Sequence, residues 1–248
     1  AKEGLFRIEG VRLAEMAAAS GWAIRFGLYT AELVEKERGR ALVEALQAKC
    51  PLYEIGAALA KKVAATDTPQ GIFLVAEQQK KSLPQMAEHL QQAAARKPLL
   101  VVLDGVQDPG NAGTIIRTAD AVGADGVILT KGSVDVFSDK TVRATMGSLF
   151  HLPVVTDVSA EEVAAFAQAT GCQLLATALD EQAKPHFAVD FGKGSLIAFG
   201  NEGGGVSEEL LAAAEKVYIP MYGEAESLNV GVSSAVVLYE AVRQRHFA

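Results

Sequence analysis

Short apolar runs alternate with amphipathic segments over the second half of the chain. The runs of strand length are LLVVLD (99–104), GVILT (126–130), LPVVT (152–156), QLLATAL (173–179), SLIAFG (195–200) and KVYIPM (216–221). Helical patterns lie at Ala112–Val122, Asp139–Leu149, Glu161–Ala169, Ser207–Ala214 and Val230–Arg245. Continuous apolar strands that alternate with helices are typical of a parallel sheet covered on both faces. We therefore predict an α/β domain that binds its ligand beyond the carboxyl ends of the strands.

The first part of the chain shows a similar mixture on a smaller scale. Strand patterns occur at LFRIEG (5–10), FGLYT (26–30), PLYEI (51–55) and QGIFLVAE (70–77), and helical patterns at Val11–Ser20, Ala31–Lys49 and Ala57–Ala64. A further helix, Leu83–Arg96, is rich in Ala, Gln and Glu and is stopped by Pro98. We interpret this helix as a connector. It divides the chain into a small α/β domain at residues 1–97 and a parallel-sheet domain at residues 98–248.

The composition is that of a globular protein with a substantial core. Half of the 248 residues are hydrophobic. No apolar stretch approaches the roughly 20 residues of a membrane span, and the start has no signal-peptide pattern, so we expect a cytoplasmic protein. Cys50 and Cys172 are far apart and belong to no Cys/His cluster, so neither a disulfide framework nor a zinc site is predicted. We expect both to be small buried hydrophobic residues.

The net charge of −7 is unevenly distributed along the chain. Residues 1–97 carry 14 Lys and Arg against 11 Asp and Glu, a net charge of +3, whereas residues 98–248 carry 9 against 19, a net charge of −10. An acidic protein is not a typical nucleic-acid binder, since phosphates bind to basic surfaces. The mildly basic first part nevertheless leaves room for a local anion-binding face.

A glycine-rich turn, AFGNEGGGVSEELL, follows the fifth apolar run of the second domain and precedes a helix. Glycines there allow a ligand to approach the main chain closely. The turn lacks the spacing of a dinucleotide-binding fingerprint, the lysine of a P-loop and the serine of a nucleophile elbow. Glu202 within it would repel a pyrophosphate, so the turn suits a ligand that is neutral or cationic. The alternative is a tight strand-to-helix turn in which Glu202 is solvated.

Two more segments place polar groups at the ends of helices. LDGVQDPGNAGTIIRTADAVGA contains a turn in which Asn111 is a good N-cap, followed by a helix with Arg117. Arg117 either reaches the strand ends or forms an ordinary ion pair with Asp120, three residues on. AESLNVGVSSAVVLYEAVRQR places Ser227 and Asn229 at the start of a long apolar helix, where either one, taken alone, is a simple N-cap.

Together, these three segments resemble the three sequence motifs of the SpoU (TrmH-type) family of RNA 2′-O-ribose methyltransferases. The matching stretches are N-x(5)-R-T-A at Asn111–Ala119, G-N-E-G at Gly200–Gly203 and S-L-N-V at Ser227–Val230. The resemblance spans essentially all of residues 98–248. Residues 1–97 are similar, more loosely, to the substrate-binding domain of the ribosomal RNA members. Those members carry a further basic stretch before the strand that LFRIEG resembles, which implies that this chain is trimmed at its start.

The resemblance implies an S-adenosylmethionine-dependent enzyme with a C-terminal trefoil knot, which works as a homodimer on RNA and requires no metal. It implies that Gly200, Ile219 and Leu228 line the cofactor through their backbones, with Thr177 nearby. The candidate catalytic residues that it implies are Arg117, Asn111, Glu202, Ser227 and Asn229. Arg117 either draws the proton from the ribose 2′-hydroxyl or, because arginine stays protonated, orients that oxygen and an RNA phosphate. Relatives commonly have Ser or Ala followed by Val-Ala where this chain has Gly231-Val232-Ser233.

The resemblance favours ribosomal RNA as the substrate, with transfer RNA as the alternative. Two other classes of protein stay open: a catalytically silent RNA-binding protein on the same scaffold, and a nicotinamide oxidoreductase on a doubly wound sheet. The complete set of Asn111, Arg117, Glu202 and Asn229 argues against the silent protein, since a binding module has no need of all four. The missing fingerprint after the first strand argues against the oxidoreductase.

Overall fold

The computed structural model describes residues 4–92 and 97–247. They form two compact units, the first built from residues up to Gln79 together with Asp135–His151, and the second from Lys80–Val134 and from Leu152 onward. Two segments therefore lie across the division predicted at residues 97 and 98. They are the predicted connector helix, which belongs to the second unit, and the segment 135–151, which belongs to the first.

The elements follow one another in a mixed α/β order. Between residues 4 and 92 they are β1 (Leu5–Glu9), α1 (Val11–Ala19), β2 (Ile24–Tyr29), α2 (Ala31–Glu35), α3 (Glu37–Gln47), β3 (Leu52–Glu54), α4 (Ala57–Val63), β4 (Ile72–Glu77) and α5 (Leu83–Gln92). Between residues 97 and 247 they are β5 (Leu99–Asp104), α6 (Pro109–Ala121), β6 (Gly126–Thr130), α7 (Asp139–Ala144), β7 (Val154–Val158), α8 (Ala160–Thr170), β8 (Gln173–Thr177), β9 (Lys184–Pro185), β10 (Ser195–Gly200), α9 (Glu208–Ala213), β11 (Glu215–Tyr218) and α10 (Val230–Phe247).

The first unit contains a four-stranded mixed sheet in the order β1-β4-β2-β3. β4 is antiparallel to both β1 and β2, and β3 is parallel to β2. Phe6 of β1 packs edge to face against Trp22, and both rings also contact Phe137 and Phe150. Arg7, which follows Phe6 in the sequence, forms an ion pair at 2.6 Å with Asp139 of α7. These contacts explain why the segment 135–151 belongs to the first unit.

The second unit contains a seven-stranded sheet in the order β7-β6-β5-β10-β8-β11-β9. All of its pairings between described strands are parallel. Every residue of β5 and of β10 is buried, which requires cover on both faces of the sheet. The predicted α/β fold with a parallel sheet is therefore confirmed. β5 and β10 lie side by side near the centre, so the loops that follow them start from the same edge.

The helix predicted at Ala31–Lys49 is two helices in the structure. α2 ends at Glu35, the backbone of Lys36 is extended, and α3 begins at Glu37. Gly39 allows the two helices to approach closely, because a Cβ there would lie 2.1 Å from the carbonyl oxygen of Leu33. Residues 35–40 (EKERGR) carry no apolar side chain, so the apolar periodicity gives no information about where the break lies.

The helix predicted at Asp139–Leu149 ends early, at Ala144. Met146 and Gly147 both have positive φ angles, 53° and 102°, which a continuing right-handed helix does not allow. A turn of 3₁₀ helix at Ser148–Phe150 then leads toward β7. The short strand β9 was not predicted, because two residues are too few to show an alternating pattern.

The predicted connector, α5, contributes to the core of the second unit. Met86 is fully buried and packs in the same cluster as Leu100 and Ile128 from the central strands. The predicted continuation of this helix to Arg96 falls on residues 93–96, which lie outside the described residues. Deleting residues 1–97 would remove Met86 from the core of the second unit. Point substitutions in the first unit therefore test its role in RNA binding better than this deletion does.

Both cysteines are buried, as the sequence predicts. Burial raises the pKa of the Cys50 thiol and of the Cys172 thiol. Neither is therefore a reactive thiolate at neutral pH. Among the described helices, none is both long enough and apolar enough to cross a membrane.

Candidate active site

Two loops meet at the carboxyl edge of the central strands. Asp104, the last residue of β5, lies directly beside Gly200, the last residue of β10. The chain leaves β5 through residues 105–108 into α6 and leaves β10 through residues 201–207 into α9. Because the strands are parallel, the segment with the first predicted motif and the glycine turn share the edge at which parallel sheets bind ligands.

The glycine turn folds back over its own first residue. Asn201 and Gly205 are paired through two backbone hydrogen bonds of 2.9 Å. The next peptide, between Gly205 and Val206, passes directly over Gly200, where an added Cβ would lie 2.0 Å from the nitrogen of Val206. The turn itself therefore requires glycine at position 200, before any ligand is considered.

Asn201 ties this turn to the end of β5. Its Nδ2 donates to the carbonyl oxygen of Gly105 at 2.8 Å. Its Oδ1 accepts from the backbone N–H groups of Gly203 and Gly204 at 2.8 and 3.1 Å. Sequence reasoning did not single out Asn201, although it lies inside the G-N-E-G motif and asparagine commonly bonds to the backbone two residues on.

Glu202 extends from the turn to the start of α6. Its Oε1 accepts from Asn111 Nδ2 at 2.9 Å and from the backbone N–H of Asp108 at 3.3 Å. Its Oε2 accepts from the backbone N–H of Gln107 at 3.4 Å. The alternative of a merely solvated Glu202 is therefore wrong, because three donors hold its carboxylate even though the residue is exposed.

Asn111 extends this contact to the third motif. Its Oδ1 accepts from Asn229 Nδ2 at 2.9 Å, and Asn229 Oδ1 accepts from the backbone N–H groups of Gly231 and Val232 at 2.9 and 3.3 Å. An ionised carboxylate only accepts, so Asn111 must turn its nitrogen to Glu202 and its oxygen to Asn229. One chain of hydrogen bonds, Glu202–Asn111–Asn229, thus joins all three motifs. We call it the motif relay.

The motif relay favours the ionised form of Glu202. Partial burial raises the pKa of this carboxyl group, but the hydrogen bonds from Asn111 and from backbone N–H groups lower it by more, so the pKa lies below its usual value. A carboxyl group with a lowered pKa stabilises the folded state above its unfolded pKa, and this stabilisation is lost as the pH falls through the folded pKa. We therefore expect the relay to be intact at neutral pH and to weaken only in acid, as the pH falls below the ordinary pKa of a glutamate.

Glu202→Gln should lower kcat/KM for methyl transfer by about 10-fold, because the new amide nitrogen faces a backbone N–H and leaves it without an acceptor. Steady-state kinetics with the RNA substrate measures this effect. Glu208→Gln, in the exposed first turn of α9, is the matched control and should leave kcat/KM unchanged. Equal values for the two variants would contradict a role for the relay.

Asp108, and not Asn111, caps α6. The Asp108 carboxylate accepts from the backbone N–H of Asn111 at 2.7 Å, and Pro109 occupies the first helical position, where a backbone N–H is not needed. The predicted cap at Asn111 is therefore wrong, and its side chain is left for the motif relay. Asn229 does cap α10 through Gly231 and Val232, as one of the predicted alternatives had it.

Arg117 lies on the exposed stripe of α6 that includes Gly110 and Thr114. Within residues 4–92 and 97–247 its guanidinium forms no hydrogen bond and no ion pair, so the predicted alternative of a pair with Asp120 is not formed. Gly231 lets α10 pack closely on this stripe, because a Cβ there would lie 3.1 Å from Thr114 Cγ2. Arg117 therefore lies one turn of α6 after Thr114, the residue against which the start of α10 packs. Its N–H donors are available to a ligand.

The remaining predicted residues are placed along the same edge. Thr177 ends β8 and donates to the carbonyl oxygen of Ala198 at 3.1 Å. Ile219 is half-buried and follows β11, the neighbour of β8. Leu228 is 37% exposed just before α10. Ser227 is exposed and makes no hydrogen bond with any described residue, so it stands outside the motif relay.

The segments that follow β8, β10 and β11 carry carboxylates but neither Lys nor Arg. Within residues 178–180, 201–206 and 219–229 the charged residues are Asp180, Glu202, Glu224 and Glu226. Asp180 is paired with Lys216 at 2.6 Å, whereas Glu224 and Glu226 are exposed. Such an edge repels a pyrophosphate and suits a ligand of net positive charge.

The three joined motifs match a known family of proteins. The family model described as SpoU rRNA Methylase family matches residues 98–239, which is more than half of the chain. The chain belongs to the SpoU rRNA methylase family. The predicted membership is confirmed, and the matched region contains every residue of the motif relay. A second family model, the MRM3-like substrate binding domain, matches residues 1–74 of this SpoU protein.

Individual relatives of this SpoU protein act on two kinds of RNA. The chain is 37% identical over 239 residues to the 23S rRNA (guanosine(2553)-2′-O)-methyltransferase RlmP of Bacillus subtilis, which covers 96% of this chain and 88% of RlmP. It is 38% identical over 161 residues to the tRNA (guanosine(18)-2′-O)-methyltransferase of Escherichia coli, which covers 62% and 68%. The solved structure of the SpoU methyltransferase AviRb from Streptomyces viridochromogenes in complex with AdoMet (S-adenosylmethionine) is 32% identical and has a TM-score of 0.88. That match covers 100% of this chain and 92% of AviRb.

Proposed function

We propose that this chain transfers a methyl group from S-adenosylmethionine to a ribose 2′-hydroxyl of ribosomal RNA. As a member of the SpoU family it is an S-adenosylmethionine-dependent RNA 2′-O-methyltransferase. The motif relay is the observation on which we base the location of the active site. It links residues that are 91 and 118 positions apart in sequence and brings all three motifs to one edge of the sheet.

Arg117 is the group that we assign to the reacting oxygen. Its guanidinium is exposed beside the third-motif helix, and an arginine side chain carries five N–H donors and no acceptor. It therefore orients the 2′-oxygen and an RNA phosphate through parallel N–H donors and does not accept the hydroxyl proton, which is released to water as the methyl group moves from the sulfur to the oxygen. Holding the oxygen in line with the methyl donor is a positioning effect, which is a large source of rate in reactions between two bound molecules.

The carboxylate-rich edge fits S-adenosylmethionine, whose net charge at neutral pH is positive. When bound, this cofactor supplies an electrophilic methyl group on a positively charged sulfur. We assign its backbone contacts to Gly200, Ile219 and Leu228, with Thr177 nearby. The motif relay then positions the loops around it, because the side chains of Asn111, Glu202 and Asn229 are engaged with one another. The exposed Ser227 is left to contact RNA or Arg117.

Ribosomal RNA is the substrate that the pattern of relatives favours. The match to the ribosomal RNA enzyme RlmP covers 96% of the chain and so includes the first unit, whereas the match to the transfer RNA enzyme covers 62%. A model of a substrate-binding domain matches residues 1–74 in the same region. We infer that the first unit selects ribosomal RNA, and a cytoplasmic location is consistent with that substrate.

Lys61 and Lys62 are the cations of the first unit that we expect to touch RNA. Both are exposed in the last turn of α4, whereas Arg7, Arg25 and Arg38 are held in ion pairs. Replacing both lysines by alanine should weaken RNA binding and reduce the slope of log affinity against log salt by about 2, one for each lost phosphate contact. Fluorescence anisotropy at several salt concentrations measures this slope.

The control for these lysines is the pair Lys184→Ala and Lys193→Ala in the second unit, which changes the net charge by the same amount. We expect it to leave the salt slope nearly unchanged. If both double variants lose affinity equally, the effect comes from net charge, and the assignment of RNA binding to α4 is wrong. S-adenosylmethionine affinity should be the same in both variants.

A homodimer, which the resemblance implies, is supported by the outer face of α10. Val232 and Tyr239 are seven residues apart on this face and are 50% and 54% exposed. Val237 and Leu238 on the other side are fully buried, so the helix carries apolar side chains on both sides, with the exposed Arg243 one turn after Tyr239. A helix that is apolar on its exposed side marks a protein interface. We propose that α10 pairs with a second copy, and the trefoil knot remains a prediction from the resemblance.

Tyr239→Glu should convert the dimer to a monomer, because two charges would be buried opposite each other at a twofold interface. Sedimentation velocity at micromolar protein concentration measures the change in mass. Tyr53→Glu is the control, since Tyr53 is a similarly exposed tyrosine, 56%, in the first unit. A wild-type chain that sediments as a monomer, or a dimer that survives Tyr239→Glu, would contradict the proposed interface.

The proposed function is tested first by ligand binding. We expect the full chain to bind S-adenosylmethionine in a calorimetric titration and to show no heat of binding with NAD. Binding of NAD alone would favour the oxidoreductase and contradict the proposal. Binding of S-adenosylmethionine without methyl transfer to either ribosomal or transfer RNA would favour the silent RNA-binding protein.

A further inference from the structure

Asp104 is a buried carboxylate at the edge of the sheet where we place the cofactor. The residue is 6% exposed. In the part of the chain that the structure describes, it has no Lys, Arg or His as an ion-pair partner. A buried carboxylate without a cation is unfavourable compared with an apolar residue of similar size. An aspartate at the end of β5 therefore calls for a specific role.

Both oxygens of the Asp104 carboxylate are engaged by neutral donors. Oδ2 accepts from the backbone N–H of Ser207 at 2.6 Å, and Oδ1 accepts from Thr130 Oγ1 at 2.7 Å. Thr130 Oγ1 also accepts from the backbone N–H of Gly105 at 3.0 Å, and Asp104 Oδ1 is a closer acceptor for its hydroxyl hydrogen than the carbonyl oxygen of Leu103 at 3.5 Å. The carboxylate is therefore rigidly held, with one oxygen directed at Ser207.

Asp104 contacts the glycine turn from both of its ends. In the sheet it lies directly beside Gly200, where the turn begins. Through its side chain it holds Ser207, the residue after the turn. Asn201 closes the turn through its backbone pairing with Gly205, and Glu202 holds its first half, but neither forms a hydrogen bond with residues 206 and 207. The Asp104–Ser207 hydrogen bond is thus what ties the exit of the turn, directly after the Gly205–Val206 peptide over Gly200, to the end of β5.

We infer that Asp104 is a positioning residue of the cofactor site, which acts by fixing the second half of the glycine turn through Ser207. The inference rests on the proposed function, because it takes the turn to contact S-adenosylmethionine through its backbone. The role lies in hydrogen-bond geometry and not in attraction between the carboxylate and the sulfonium. Loss of Asp104 therefore weakens charged and uncharged forms of the cofactor equally.

Asp104→Ala in the full chain tests this inference through calorimetric titration with S-adenosylmethionine and with S-adenosylhomocysteine, which lacks the sulfonium charge. Both affinities should fall by the same factor, at least about 10-fold, as expected for the loss of a hydrogen bond to a charged acceptor. Asp104→Asn should keep both affinities within about 3-fold of wild type, because its Oδ1 still accepts from Ser207 and its Nδ2 can donate to Thr130.

Asp125→Ala is the matched control at the opposite edge of the sheet. Asp125 is 2% exposed, and its carboxylate accepts from the backbone N–H of Leu99 at 2.8 Å. This variant should lower the thermal unfolding temperature about as much as Asp104→Ala while both affinities stay unchanged. If Asp104→Ala does not fold, Thr130→Val removes the second contact of the carboxylate, together with the acceptor of the Gly105 N–H, and should weaken both ligands by a smaller, equal factor.

Three results would overturn the inference: wild-type affinities in folded Asp104→Ala, an equal loss of affinity in Asp125→Ala, or an Asp104→Asn variant that loses S-adenosylmethionine but retains S-adenosylhomocysteine. The last would show that the charge acts and the hydrogen bond does not. A wild-type chain that binds neither ligand would contradict the proposed function itself. Wild-type binding with an unaffected Asp104→Ala would contradict the inference alone.

Discussion

Arg117→Ala should slow methyl transfer by on the order of 100-fold or more, while the affinity for S-adenosylmethionine stays within about 2-fold of wild type. The guanidinium is exposed and engages no described residue, so it contributes little to the fold. Its contacts to the 2′-oxygen and phosphate are made with the RNA, and they are strongest as the methyl group transfers. Single-turnover methylation of ribosomal RNA with the enzyme in excess measures this step directly.

Two further variants define what Arg117 does. Arg117→Lys should restore little activity, because an ammonium lacks the planar pair of donors that holds two oxygens at once. Asp120→Ala lies one turn away on α6 and should leave the rate unchanged, since it forms no ion pair with Arg117. Near-normal turnover in Arg117→Ala would remove this residue from the reacting centre.

Gly200→Val should reduce the affinity for S-adenosylmethionine by on the order of 100-fold, because a side chain there overpacks a site that has no free volume. Its Cβ would lie 2.0 Å both from the carbonyl carbon of Gly205 and from the nitrogen of Val206. The turn must then move away from β5, and Glu202 must move with it. Calorimetric titration measures the affinity, and circular dichroism shows whether the sheet persists.

Gly56→Val is the control for valine at a glycine position. Gly56 lies before α4 in the first unit, and an added Cβ there meets no atom within 4 Å. We expect this variant to bind S-adenosylmethionine as the wild type does. A folded Gly200→Val variant with unchanged affinity would show that the glycine turn is not part of the cofactor site.

The central strands could be predicted to the residue because the apolar pattern alone determines them. The runs 99–104 and 195–200 are found as β5 and β10 with the same bounds. Predictions failed where local backbone geometry decides instead. The break at Lys36 depends on a close approach at Gly39, and the end of α7 depends on the positive φ angles at Met146 and Gly147. The spacing of apolar residues contains no information about a close backbone approach or about a positive φ angle.

The relay residues could be found by motif, but their partners could not. Asn111 was assigned as a cap because asparagine is a good cap, and only Pro109 in the first helical position shows that Asp108 takes that role. Asp104 is the polar end of an apolar run and gives no local sign of a function. Its partner Ser207 is 103 residues away, a pairing that only the sheet register creates.

The most direct test of the proposed reaction is the position of the transferred methyl group. Ribosomal RNA that lacks the modification is incubated with the full chain and methyl-labelled S-adenosylmethionine, and the product is hydrolysed in alkali. A methylated 2′-oxygen cannot attack the neighbouring phosphate, so that linkage resists cleavage. We expect the label in alkali-resistant dinucleotides, and none above background with Arg117→Ala in the same reaction time. Label recovered in mononucleotides, which would mean that a base is methylated, or no label in RNA from a chain that binds the cofactor, would contradict 2′-O-methyl transfer.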